Sequence, residues 1–285
     1  MWGMAPILFK ELSHVPAMIF LACRMILSFI FLLGLLFFMR TLPTFLAEIR
    51  QIVTNWKLLM LIFLSSALIS SNWLVYIWAV ANDNVLETSL GYFINPLMNI
   101  ALGMVILGER LSRVKMLAVA LAAVGVLYML INGGRFPWVA FYLATSFAVY
   151  GLIRKKAVVG AVMGLWMEMF ILLPVAFSYL FYMNSSGQFD GGSFDDYTVL
   201  MLVISGFVTT IPLVLFSVAA KKLPLSTLGI LQYIAPSMIF LLAIFLWHEP
   251  FTMTHMVTFG CIWGALVIYS VDSFFPSRRR SKVSD

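Results

Sequence analysis

Leu86-Glu87-Thr88-Ser89-Leu90-Gly91-Tyr92-Phe93-Ile94-Asn95-Pro96 runs through an apolar stretch to Glu109. The same frame returns as Leu225-Ser226-Thr227-Leu228-Gly229-Ile230-Leu231-Gln232-Tyr233-Ile234-Ala235-Pro236, running on to Glu249. Pro96 and Pro236 are 140 positions apart, as are Glu109 and Glu249. The preceding segment keeps the offset: Ser65 with Ser205, Ser70 with Thr210, Tyr76 with Phe216, Ala79 with Ala219. In an apolar chain, a duplication of this length points to a membrane transporter built from two halves.

Composition agrees. The chain is 62% hydrophobic and 11% charged, with a mean hydropathy of +1.01. A soluble core does not need so much apolar surface; a bilayer does, at about 20 residues per crossing helix. The net charge of +6 does not signal nucleic acid, because the basic residues sit in short loops and a tail. Cys23 and Cys261 lie in apolar runs and read as small apolar filler, with no disulfide and no metal. No phosphate-binding G-x-x-x-x-G-K-[ST] motif occurs, and His248-Glu249 followed by His255 lacks the H-E-x-x-H spacing of a zinc helix. No cofactor is expected. Three histidines, none usefully spaced, leave an integral-membrane enzyme without its acid–base groups.

Apolar spans fall at about 15–39, 58–81, 85–107, 114–132, 136–153, 157–183, 197–220, 224–247 and 252–272. Residues 1–9 are too short to cross, rising about 13 Å, and read as the second half of a first helix. With the C-terminal tail in the cytoplasm, the loops on that side hold 15 of the 18 basic residues, including Arg40, Arg50, Lys57, Arg154, Lys155, Lys156, Lys221 and Lys222. Lys10 and Arg135 lie on the other side, and Arg24 lies inside a span. That asymmetry is a positive-inside signal. It works only when each half has five helices, and an odd number makes the halves inverted with respect to one another.

The runs Asn72-Trp73-Leu74-Val75-Tyr76-Ile77-Trp78-Ala79-Val80, Gly91-Tyr92-Phe93-Ile94-Asn95-Pro96 and Gly108-Glu109-Arg110-Leu111 resemble RarD proteins of the EamA family, within the drug/metabolite transporter superfamily. The resemblance covers nearly the whole chain. It implies an all-α integral membrane protein of ten helices in two inverted five-helix repeats, in a bacterial inner membrane, and carries a label of chloramphenicol sensitivity. Residues 1–133 are then a first EamA-type repeat with helix 1 incomplete, 134–273 a second, and 274–285 a basic cytoplasmic tail. Members of the family usually begin roughly ten residues earlier. A truncated first helix would favour a sensor or scaffold without flux over a transporter.

Arg24 and Glu168 fall at equivalent depths of the two halves, near the midplane. A lone charge there costs about 2.5–3.5 kcal/mol on insertion scales. The two could neutralise each other as a packing ion pair, or form a site in which Glu168 exchanges a proton and Arg24 binds an anionic group. Thr88, Tyr92, Asn95 and Asn99 share one helix face around Pro96, and Gln232 replaces Tyr92 in the second half. That face lines a cavity or bonds to neighbouring helices. Asn72 and Tyr76 share a face with Ser65. The stripe Trp138, Tyr142, Ser146, Tyr150 reads as packing more than binding. Glu87 reads as a helix cap, and Glu109 and Glu249, before Pro250, as structural corners. Gly260 and Gly264 permit close helix approach, within the chain or in a homodimer. The expected substrate-binding set is therefore Arg24, Glu168, Asn72, Tyr76, Tyr92, Asn95, Asn99 and Gln232. The expected activity is gradient-driven transport of a small organic solute, with protons as the candidate coupling ion.

Overall fold

The computed structural model describes residues 2–39, 42–82, 85–132, 137–189, 194–246 and 253–274. Among these the chain is helical between short turns. A 3-10 turn (Trp2–Met4) leads into α1 (Ala5–Glu11), α2 (Ala17–Met39), α3 (Leu42–Thr54), α4 (Trp56–Ala81), α5 (Val85–Leu107) and α6 (Arg113–Asn132). There follow α7 (Trp138–Lys156), α8 (Ala161–Ser185), α9 (Asp196–Lys222), α10 (Leu225–Gln232), α11 (Ile234–Phe245) and α12 (Met253–Phe274). Among the described residues, eight spans are long and apolar enough to cross a bilayer: α2, α4, α5, α6, α8, α9, α12, and Leu225–Leu242 across α10 and α11. Helix α7 is not among them; its 19 residues end in Arg154, Lys155 and Lys156. Exposed side chains such as Phe38, Val105 and Phe181 would each be costly in water and are at home in lipid.

Two expectations need correction. Residues 40–57 were expected as a loop, but 42–54 form α3. Apolar Phe45, Ile49 and Ile52 recur at helical spacing among Glu48, Arg50 and Gln51, and thirteen residues rise only about 20 Å, too little to cross. The span expected at 224–247 is interrupted at Tyr233, where Pro236 deprives the Gln232 carbonyl of its donor. Its counterpart α5 runs unbroken through Pro96.

The chain divides into two compact units, each taking a segment from either side of residue 134. The first comprises Met1–Ala81 and Val149–Leu223. In it α2 packs on α8 and α9, and α4 packs on α8. Gly206 lets α9 approach α2, since a Cβ there would lie 2.9 Å from that of Leu27. The ends of α7 and α9 cap each other. Lys155 Nζ donates to the carbonyls of Ala220 (3.1 Å) and Leu223 (2.5 Å), and Lys221 Nζ donates to those of Ala157 (2.9 Å) and Val159. Cations at helix C-termini satisfy carbonyls that have no partner within the helix.

The second unit comprises Asn82–Ala148 and Pro224–Asp285. Here α6 packs on α12 and α5 on α10. Gly264 faces α6, 3.3 Å from Leu121 at its Cβ position, whereas Gly260 has open space there. Helix α5 ends at Gly108, whose φ of 65° turns the chain so that the Glu109 amide reaches the Gly103 carbonyl at 3.0 Å. The Glu109 carboxylate then accepts from the amides of Leu225 (2.6 Å) and Ser226 (2.9 Å) and from the Ser226 hydroxyl (2.6 Å). A carboxylate at a helix N-terminus meets free N–H groups and a favourable dipole, so Glu109 ties α5 to the start of α10.

Candidate functional site

In the first unit the chemistry gathers around Glu168, the eighth residue of α8, which is 0% exposed. Its Oε1 faces Arg154 Nη1 at 3.2 Å; Arg154 is 1% exposed. Ser65 Oγ donates to Oε1 (2.6 Å), Tyr150 Oη to Oε2 (3.1 Å), and Ser66 Oγ to the backbone carbonyl (3.0 Å). Arg154 spends its other nitrogens on Ser217 Oγ (3.2 Å) and the Ala161 carbonyl (2.6 Å). Helices α4, α7, α8 and α9 thus all contribute. Tyr150 and Arg154, one turn apart on α7, share a face, and both reach Glu168 on α8. Gly164 completes the seat: a Cβ there would overlap Arg154 Nη1. Each buried ion loses several kcal/mol of hydration, and the pair holds because partners surround both members.

The neutralisation expected between Arg24 and Glu168 is corrected here: the partner of Glu168 is Arg154, a residue expected in a loop. Arg24 lies half-buried on α2 among aromatic rings. Its guanidinium carbon is 4.9 Å from the Trp73 ring centre, 5.4 Å from Phe20 and 5.8 Å from Phe9. Tyr76 lies within the electrostatic reach of Arg24, and Asn72, half-buried, precedes Trp73. Each ring face contributes about 0.5–1 kcal/mol to holding the cation, and more where water is excluded.

The second unit holds a neutral cluster. Asn95 Nδ2 donates to the Ala144 carbonyl at 3.0 Å. Asn99 Nδ2 faces Asn95 Oδ1 (3.0 Å), the Asn95 carbonyl (3.3 Å) and Gln232 Oε1 (2.5 Å). Gly229, one turn before Gln232, brings α10 against α5; a Cβ there would sit 2.6 Å from the Pro96 carbonyl and 3.1 Å from Asn99 Cβ. Tyr92, expected on the same face, is 47% exposed, while Thr88, Asn95 and Asn99 are buried. The side chains of Glu87, Glu249 and Pro250 lie outside the described residues.

Protein RarD of Escherichia coli is 45% identical over 281 residues, covering 99% of this chain and 94% of that protein. The profile of the EamA-like transporter family matches residues 1–131. This chain is a RarD protein of the EamA family. A Bacillus subtilis relative, named "Uncharacterized transporter YojE", is 43% identical over 273 residues, covering 95% of this chain and 90% of that one. One solved structure, titled only "Crystal structure of protein", superposes with a TM-score of 0.70 at 16% identity, over 95% of this chain and 92% of that one, and shows shared fold. As an EamA protein with eight apolar spans, the chain is an integral membrane protein and a membrane transporter.

Of the residues expected to form a site in this EamA member, Arg24 and Tyr76 come together in one unit, and Asn95, Asn99 and Gln232 in the other. Glu168 stands in a cluster that the sequence reading overlooked in part. Arg154 was counted among loop charges, Tyr150 was assigned to packing, and Ser217 was not singled out. The four-residue spacing of Tyr150 and Arg154 was the available signal, because it puts both on one helix face.

Proposed function

We propose that this protein is a secondary transporter of a small organic solute in a bacterial inner membrane, working by alternating access and driven by a proton gradient. The observation that carries the coupling is the Arg154–Glu168 pair, fully buried among membrane-spanning helices and reached by hydroxyls of Ser65, Tyr150 and Ser217. Charged groups at such depth are costly, and ion and proton pathways are where they are retained. Glu168 takes up a proton when Arg154 and the hydroxyls move away, and releases it when they return. The 140-residue sequence offset and the loop charges support ten helices in two inverted repeats, with the C-terminal tail cytoplasmic. Within the first unit, Arg24, held by Trp73 with Asn72 and Tyr76 beside it, contacts an anionic part of a solute. Within the second, Tyr92, Asn99 and Gln232 supply neutral contacts, and Asn95 holds Asn99 in place.

The test is reconstitution into vesicles enclosing a pH-sensitive dye, with a panel of organic solutes added outside. A solute-driven pH change in the wild type, absent in Glu168→Gln, is expected. Wild-type rates from Glu168→Gln across a range of pH would remove the proton role. No solute-linked flux under any gradient would remove the coupling altogether.

A further inference from the structure

The amide cluster of the second unit has a direction. The Ala144 carbonyl can only accept, so Asn95 must turn Nδ2 toward it. Asn95 Oδ1 therefore faces Asn99, and Asn99 must answer with Nδ2. Gln232, meeting the same nitrogen at 2.5 Å, must present Oε1. Reversing any one amide sets oxygen against oxygen or N–H against N–H, so a backbone carbonyl on α7 fixes the whole relay. Its end point is Asn99 Oδ1. That oxygen is buried in a residue with 0% exposure and has no hydrogen-bond partner among the described residues.

Two further features stand at the same place. Asn99 also bonds Gln232, where α10 stops and α11 begins, and Pro236 leaves the Gln232 carbonyl without its helical donor. The next residue, Tyr233, is fully buried with a hydroxyl that also lacks a partner among the described residues. Interrupted helices inside membrane proteins expose backbone carbonyls to what is carried. The local balance is a surplus of acceptors: Asn95 Oδ1, the Asn95 carbonyl and Gln232 Oε1 share the two hydrogens of Asn99 Nδ2, and Asn99 Oδ1 receives none among the described residues.

We propose that Asn99 Oδ1 is a hydrogen-bond acceptor for an N–H group of the transported solute, which makes amines, and ammonium groups above all, the class of solute read by this unit. The inference rests on the transporter reading above and deepens it. Asn99 supplies the acceptor; Asn95 is a positioning residue that keeps the acceptor pointing outward from the relay; Gly229 permits the helix approach that brings Gln232 into it.

Purified full-length protein in detergent, titrated with phenethylammonium and with its N,N,N-trimethyl derivative, tests this by thermal shift. The two probes share charge and ring, and only the first carries N–H. Phenethylammonium should stabilise the wild type, and the trimethyl compound should bind about tenfold or more weaker. Asn99→Leu should abolish the difference. Asn95→Ala keeps Asn99 but frees it to turn over, so it should shrink the difference while binding persists. Equal stabilisation by both probes, no stabilisation by either, or an unchanged difference in Asn95→Ala overturns the proposal. Binding is read here without flux. A protein that binds selectively but moves nothing would therefore count against the transport reading alone, and flux without N–H selectivity against this proposal alone.

Discussion

The charged cluster around Glu168 closes on itself, whereas the amide cluster around Asn99 ends in an open oxygen. In the first, two ions and the hydroxyls of Ser65, Tyr150 and Ser217 satisfy one another. In the second, Asn99 donates to Asn95 and Asn95 to the Ala144 carbonyl, and nothing among the described residues donates to Asn99 Oδ1. The difference follows from cost. An uncompensated ion in a low dielectric costs several kcal/mol, while an unpaired carbonyl costs about 1–3 kcal/mol. A protein can leave a neutral group waiting for a ligand far more cheaply than a charged one.

The largest effect should come from breaking the closed cluster. Glu168→Ala leaves Arg154 buried without its carboxylate and should destabilise by about 3–5 kcal/mol. The double replacement Arg154→Met with Glu168→Leu should recover most of that loss. Denaturant titration in micelles, followed by tryptophan fluorescence, reads both. Next comes Gly164→Ala, where the new methyl overlaps Arg154 Nη1. We expect about 2–3 kcal/mol of destabilisation, characteristic of overpacking. In an Arg154→Met background the same change should cost much less, and an equal cost in both backgrounds would show that Arg154 is not what Gly164 accommodates.

The open cluster should respond more mildly. Asn99→Leu removes the bonds to Asn95 and Gln232 but also an oxygen without a partner, so we expect a net loss of about 1–2 kcal/mol in the same titration. A loss as large as that from Glu168→Ala would erase the contrast between the two clusters. The smallest effect lies outside both. Hydrogen bonding from Thr198 to the exposed Asp195 carboxyl, at the N-terminus of α9, holds it below the usual carboxylate range. A depressed value in the folded state means that the cap is fully effective above the unfolded carboxylate value, about 3.9, and fades as pH falls through the lower folded value. Hydrogen exchange at the Thr198 amide should lose protection over that acid range in the wild type. Asp195→Ala should show low protection at every pH.

The apolar spans were legible because twenty consecutive lipid-compatible residues have few other readings, and Pro96, Pro236 and Glu109 marked where helices turn. Helix α3 was hidden because its alternating charges resemble a loop when only crossing segments are sought. The two prolines looked alike in sequence, yet α5 continues through one, while before the other the helix is interrupted at the single residue Tyr233. Arg154 shows the limit most clearly. In the run Arg154-Lys155-Lys156, one residue turns into the core, one caps a neighbouring helix and one remains near the surface. Three similar letters therefore carry three fates, distinguished only by the helix phase at which each falls.

The reciprocal lysines at the ends of α7 and α9 have a consequence in time. Lys155 leaves the ribosome 65 residues ahead of the Ala220 carbonyl that it later caps, and the Ala157 carbonyl waits 64 residues for Lys221. Until α9 is made, Lys155 has only water for a partner. In the proposed orientation, that charge lies on the cytosolic side, as the positive-inside asymmetry requires. Once the later segment arrives, the same atom is recruited into a permanent clasp.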